Sequence, residues 1–269
     1  MLAVFPLIQP VALPHAPIQT VSVNDVAEAV SLAVAGAIPS GTVCDLVEDT
    51  PHELQAVIAA HRKWLGIGEA AMQIVAPGWL LRLTSSIADG LGRLGWRSPL
   101  RSTALKVLHD GVRGDPAPWR KLTGSGLSAL HETLITFPAT VEHRQFARMS
   151  LLMPIVMAAL ALFWLVSGLI GFLRLDQAAG ILVAAGWSPA SAKLAVVFWS
   201  LVDILLAGAV MIRRIAGPAC WAMVAVSLIY LAAATWTTPH LWADPLGPLV
   251  KIIPGLALAL VARIMLETR

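Results

Sequence analysis

The pattern of apolar and polar positions divides the chain near residue 149. Before it, apolar residues recur at the short periods of strands and amphipathic helices. After it, they come in long runs. Residues 149–173 carry no charge, and about 20 apolar residues suffice to cross a hydrocarbon core of about 30 Å. The runs predict four spans, at about 149–173, 192–212, 217–236 and 246–265. They lack the polar face that helices of a soluble bundle need, so a compact antiparallel transmembrane bundle is expected. Ser167 and Gly171 stand one turn apart on the first span. Ser200, Asp203 and Ala207 share a face of the second, and Ala222, Ala225 and Ala232 a face of the third. Such small residues let membrane helices approach closely.

The first half reads as β-α-β-α. Ile18–Val23 alternates and is β-branched, which predicts a strand. Asn24 or Asp25 is then expected to cap a helix running through Leu32. Thr42–Glu48 predicts a second strand. Thr50-Pro51-His52-Glu53 has the form of a capping box, opening a helix that runs to about Trp64 and stops at Gly66. In residues 77–110, Trp79, Leu80, Leu83, Ile87 and Leu91 recur at helical spacing. Pro99 breaks this pattern before a helix at about 102–110. Residues 111–126 are turn-rich. A short helix is expected at about 126–136, before a hinge at Phe137-Pro138. The N-terminal run to Pro10 lacks a basic segment and contains prolines, so it does not read as a signal peptide.

Composition supports this division. The chain of 269 residues is 57% hydrophobic and 13% charged, against about 25% charged in soluble globular chains. Residues 1–149 hold 12 Lys/Arg and 12 Asp/Glu, whereas 150–269 hold 7 and 4. The excess positive charge therefore belongs to the membrane half, at the ends of apolar runs, and nucleic acid is not an expected partner. Arg144 and Arg148, Arg213-Arg214, and Arg263 with Arg269 fall on one side of an even number of crossings. By the positive-inside rule both termini are expected in the cytoplasm, in a multi-pass protein of a bacterial inner membrane. Trp187, Trp221, Trp236 and Trp242 stand where an interfacial aromatic belt would place them. Cys44 and Cys220 have no metal-ligand or disulfide spacing. His15, His52, His61, His109, His131 and His143 form no ligand pattern, so no metal site is expected.

Ile18-Gln-Thr-Val-Ser-Val-Asn-Asp-Val-Ala-Glu-Ala-Val30 resembles a segment found late in extended and atypical short-chain dehydrogenase/reductases. The resemblance covers about 18–65 well and extends weakly to about 125. It implies that residues 1–148 are an α/β remnant of an NAD(P)-binding domain. That family's glycine-rich βαβ unit and its Tyr-x-x-x-Lys are not in the chain: Tyr230 is the lone tyrosine, and Ala234 follows it where the lysine would stand. Gly90-Leu-Gly-Arg-Leu-Gly95 matches GxGxxG, yet it ends a helix instead of linking a strand to a helix, so no dinucleotide is assigned to it. No catalytic or cofactor-binding residue is expected in this chain.

Residues 149–269 resemble the DoxX-like family of small four-helix membrane proteins. The resembling residues are Phe163-Trp-Leu-Val-Ser167-Gly168, Leu201-Val-Asp203-Ile-Leu-Leu-Ala-Gly208, Tyr230, and Leu241-Trp-Ala-Asp-Pro-Leu-Gly-Pro-Leu-Val-Lys251-Ile-Ile-Pro254. The expected fold class is therefore mixed, a truncated α/β dehydrogenase-like part followed by an all-α four-helix transmembrane bundle. The resemblance implies a membrane anchor or subunit linked to redox metabolism. Its partners would be the lipid bilayer, a dehydrogenase-like protein and a second copy of itself, with quinone as the ligand by analogy. The alternative is the C-terminal part of a membrane-bound NAD(P)-dependent oxidoreductase whose N-terminal lobe is missing.

The candidate polar site is Asp203, Tyr230, Asp244 and Lys251. A charge in mid-span costs about 2.5–3.5 kcal/mol on insertion scales, so Asp203 is expected to face the bundle and find a partner. At about 1.5 Å per residue, Asp203 lies about 17 Å deep and Lys251 about 7 Å, within partial reach of a lysine stem. Tyr230 is placed to donate a hydrogen bond to either. Asp244 competes for Lys251.

Overall fold

The computed structural model describes residues 2–5, 8–70, 72–245 and 247–267. Leu246, the expected start of the fourth span, and Arg269, one of the orienting charges, lie outside the described residues, as do Met1, Pro6 and Leu7 of the N-terminal run. The chain forms two units, residues 1–90 with 98–148, and residues 91–97 with 149–269.

The first unit is mainly helical around two short sheets. Strand β1 (Ile8–Val11) precedes β2 (Pro17–Ile18), and helix α1 (Val23–Val34) follows. Ser22 caps α1, its hydroxyl accepting the Asn24 N–H at 3.3 Å. Neither expected cap serves, because the Asp25 carboxylate instead takes the Ser128 N–H and hydroxyl at 2.8 and 3.0 Å. Strand β3 (His52–Glu53) pairs antiparallel with β2. That pairing dissolves the expected capping box. Helix α2 (Leu54–Trp64) starts from Glu53, whose carboxylate engages Gln55 and His15 and does not cap. As expected, α2 ends before Gly66, which takes a positive φ of 66°.

Residues 42–48 form no strand. Their alternation suits one, but a strand needs a neighbour. The Glu48 N–H does bond to the Thr20 carbonyl, while Val43 stands 92% exposed. Strand β4 (Met72–Val75) instead pairs parallel with β1, a contact the apolar pattern did not signal. Helices α3 (Gly78–Arg93) and α4 (Ser102–Asp110) flank the Pro99 break. Helix α5 (Ala117–Thr123) occupies the turn-rich stretch, and α6 (Leu130–Thr136) precedes the hinge. Two two-stranded sheets among the described residues do not make the layered sheet of a dinucleotide-binding domain.

Val4, Val11, Leu54, Ile58 and Leu65 form the apolar centre of this unit. Two buried charges brace it. The Arg62 guanidinium closes on the carbonyls of Phe5 and Gly68, each at 2.7 Å, and of Ala3 at 3.2 Å. The Glu48 carboxylate accepts four donors from three segments: the Thr20 N–H and hydroxyl (2.8 and 2.7 Å), His52 Nε2 (2.9 Å) and the Leu130 N–H (2.9 Å). Burial alone pushes the Glu48 carboxyl up. The hydrogen bonds from Thr20, Leu130 and His52 together outweigh it and hold the group below its ordinary value.

The second unit is built of helices joined by short turns and one longer loop before its last helix. Helix α7 (Val141–Leu173) enters it at Met149. Helices α8 (Leu175–Ala184), α9 (Pro189–Met211), α10 (Ala216–Thr237) and α11 (Ile252–Glu267) follow. Three of these, α7, α9 and α10, are long and apolar enough to cross a membrane. The expected fourth span is a helix of only 16 residues, because the proline- and glycine-bearing run to Lys251 forms a 3-10 turn and loops instead of helix. Helix α9 starts earlier than expected, at Pro189, because Ser188 caps it and accepts the Ser191 N–H at 3.2 Å.

Met153, Met157, Leu160, Trp164, Val210, Cys220, Met223 and Ala262 form the core of this unit. The packing face of α10 is Ala219, Cys220, Met223, Val226 and Ser227. Ala225 and Ala232 of the expected small-residue face are exposed. Large apolar side chains point outward around the unit: Leu162, Phe163, Leu169, Ile170, Leu194, Phe198, Leu205, Trp221 and Leu228 are all exposed. A soluble protein does not present so much contiguous apolar surface to water. Lipid contact satisfies it.

Candidate functional site

Asp203 is turned inward from the middle of α9 and is 4% exposed. Helix geometry decides which groups meet it. The short loop 212–215 makes α9 and α10 antiparallel neighbours. Side chains lean toward the N-terminus of their own helix, so Asp203 and Tyr230 lean toward each other along the pair. The Tyr230 phenol donates to Asp203 Oδ1 at 2.7 Å. From α7, the Ser167 hydroxyl donates to Asp203 Oδ2, also at 2.7 Å. One carboxyl thus joins three helices. The Tyr230 ring is further held edge-on against Trp199, with centroids 5.2 Å apart.

Two glycines allow this approach. A methyl at Gly168 would come 2.6 Å from the Ser200 carbonyl oxygen and 2.7 Å from Ile204 Cγ1. At Gly171 it would overlap the Ser200 hydroxyl. Ser167, Gly168 and Gly171 therefore work together: the glycines bring α7 against α9, and the serine then reaches the carboxyl.

The structure unites only two of the four expected site residues. Asp203 and Tyr230 meet. Lys251 is exposed just before α11 and makes no ion pair with Asp203. Asp203 stands 14 residues into α9, about 21 Å from its start, and Lys251 belongs to the end where α11 begins, so depth separates them. Asp244 is half-buried in the loop before α11, where its carbonyl accepts the Gly247 N–H at 2.8 Å. Ser167 was legible only as a packing residue, and Trp199 not at all. The signal for Ser167 was a hydroxyl beside a glycine in an uncharged run.

Charges mark the two ends of this unit. At one, Lys193 pairs with Asp176 at 2.7 Å. At the other, the Arg213 guanidinium donates to the Leu266 carbonyl at 3.1 Å and lies over the Trp96 ring at 5.7 Å. Arg263 pairs with Glu267 there at 2.9 Å. The Gly90–Gly95 motif ends α3, and its Leu94 carbonyl accepts the Arg213 N–H at 2.9 Å.

The three helices with an apolar exterior and one inward carboxyl define a membrane protein. Residues 161–260 match a family model described as the DoxX-like family, a stretch that contains Ser167, Asp203 and Tyr230. No curated protein and no solved structure matches the chain.

The donor types around Asp203 suit a quinone carbonyl in kind, but the space does not. Both hydroxyls are directed at the carboxyl, and α7 and α9 meet too closely to admit a methyl at Gly168, still less a ring. No quinone step is assigned to this cluster.

Proposed function

We propose that the chain is a DoxX-like integral membrane protein that serves as an anchor or membrane subunit for redox metabolism. The observation that carries the reading is the inward carboxyl held by hydroxyls from two other helices, inside a shell of exposed Leu, Phe and Trp. This is a joint that fixes the register of a bundle in lipid, within the stretch that matches the DoxX-like family. The redox assignment rests on the resemblance of that stretch to this family.

Helix α11 would complete the bundle as a fourth crossing. Its 16 residues reach about 24 Å, short of the usual core by an amount that local thinning accommodates. With four crossings, the end bearing Arg213, Arg214 and Arg263 faces the cytoplasm of a bacterial inner membrane, by the positive-inside rule. A reporter active only in the cytoplasm, fused after Glu267, should then be active. An inactive cytoplasmic reporter with an active periplasmic one sinks this topology.

The functional test is a deletion strain complemented with wild type or with Asp203→Asn. Membrane-associated dehydrogenase activity, read as oxygen uptake on added reduced substrates, should fall on deletion and return with the wild-type chain. Unchanged uptake in the deletion overturns the redox reading. Asp203→Asn separates roles. Restored uptake supports a purely structural carboxyl. Lost uptake, with the chain still folded and membrane-inserted, assigns the carboxyl to the redox process itself.

A further inference from the structure

Helix α3 is amphipathic in the inverted sense. Its buried positions are Ser85 and Ala88, at 8% and 5% exposed. Three of its six large apolar residues face outward, Trp79 at 68%, Leu83 at 52% and Ile87 at 55% exposed, while Leu80, Leu81 and Leu91 are half-buried. These three recur every fourth residue, so they form one stripe along the helix. Arg82, Ser86 and Arg93 run along one edge of it, all exposed. In water such a stripe is a liability. Tryptophan and branched aliphatics on one face with arginine at the edge are what a helix lying in a membrane interface carries.

The chain itself says which surface is at hand. The last turn of α3 continues into residues 91–97, which belong to the membrane unit. There the Leu94 carbonyl accepts the Arg213 N–H at 2.9 Å, and the Trp96 indole donates to the Met211 carbonyl at 2.6 Å. Met211 is the last residue of α9, one of the membrane-capable helices. Helix α3 therefore leads directly into a segment that is hydrogen-bonded to the end of α9. Its 16 residues extend at most about 24 Å from that point. Arg213 and Arg214, with Arg82, Arg93 and Arg97, add positive charge suited to anionic headgroups.

We propose that α3 is an interfacial helix that lies in the plane of the bilayer crossed by the protein's own spans, with Trp79, Leu83 and Ile87 inserted among lipid acyl chains. The proposal rests on the membrane assignment of the second unit and is independent of any redox role.

The test uses the full chain in vesicles of phosphatidylcholine and phosphatidylglycerol, in a Cys44→Ser background. Cys220 is kept, since it is 0% exposed. Cysteines introduced one at a time at 79, 82, 83, 86 and 87 carry a nitroxide, and collision with dioxygen is compared with collision with a water-soluble nickel chelate. Positions 79, 83 and 87 should favour dioxygen several-fold, and 82 and 86 the chelate. A preference for the chelate at all five positions puts α3 in water and overturns the proposal. Shielding of 79, 83 and 87 from both reagents means that protein covers the stripe, and also overturns it. Adding Leu83→Asp with Ile87→Asp should abolish the dioxygen preference at position 79 while the chain stays in the membrane after alkaline extraction. Retention of that preference counts against the stripe as the inserting element.

Discussion

The phenol of Tyr230 donates to Asp203 Oδ1 at 2.7 Å across two antiparallel helices, and Ser167 supplies the second donor from a third helix. The carboxyl is held by neutral hydroxyls, of which the Tyr230 phenol was one of the partners open to it from the sequence. Tyr230→Phe removes one donor and leaves a buried oxygen unsatisfied, which costs about 1–3 kcal/mol. Asp203→Asn keeps an acceptor for Tyr230 and should cost less. Unfolding midpoints in detergent test this order, and a larger loss for Asp203→Asn contradicts it.

Gly168 and Gly171 make separable predictions. Gly168→Ala drives a methyl against the Ser200 backbone carbonyl, which cannot withdraw, and should destabilise the bundle by about 1–3 kcal/mol. Gly171→Ala meets only the Ser200 side chain. Ser200→Ala should therefore rescue much of Gly171→Ala and little of Gly168→Ala, as a double-mutant cycle reads directly.

Glu48 gives the first unit a pH dependence. Its folded-state value is lowered, so the folded unit binds fewer protons there than the unfolded chain. Its contribution is complete above the ordinary value of 4.5 and is lost as pH falls through the lowered one. Hydrogen exchange at the Thr20 and Leu130 amides should accelerate in that acid range. Glu48→Gln turns an amide donor toward one of the bonded N–H groups and should cost about 1–3 kcal/mol already at pH 7. Equal exchange in wild type and variant at pH 7 would count against the role assigned to Glu48.

Trp96 ties residues 91–97 to the end of α9 through one indole hydrogen bond. Trp96→Phe keeps the ring under Arg213 but removes the donor, for a loss of about 0.5–1.5 kcal/mol. Faster amide exchange in residues 91–97, with α10 unchanged, is the expected signature. A uniform change across the unit would point instead to a general packing defect.

Long uncharged runs such as 149–173 cannot bury a polar face they do not have, so the membrane-capable helices were legible from composition and run length. It also placed Asp203 on the inner face of α9, since a mid-span carboxyl has nowhere else to go. The stop at Gly66 and the break at Pro99 were legible for local reasons, a positive φ and a blocked helix. The choice of partners was not legible, because it comes from contacts across the fold. Residues 42–48 have the alternation of a strand but no neighbouring strand, and the Thr50–Glu53 cap is overridden when His52–Glu53 pairs with Pro17–Ile18. Asp203 takes Ser167 and Tyr230 in place of Lys251, because the choice depends on relative depth across helices, which periodicity along one helix does not encode. Likewise the spacing of Trp79, Leu83 and Ile87 foretold an amphipathic helix, but which of its faces is covered depends on what packs against it. Local pattern fixes the period; contacts between segments distant in sequence fix which face is covered and which groups meet.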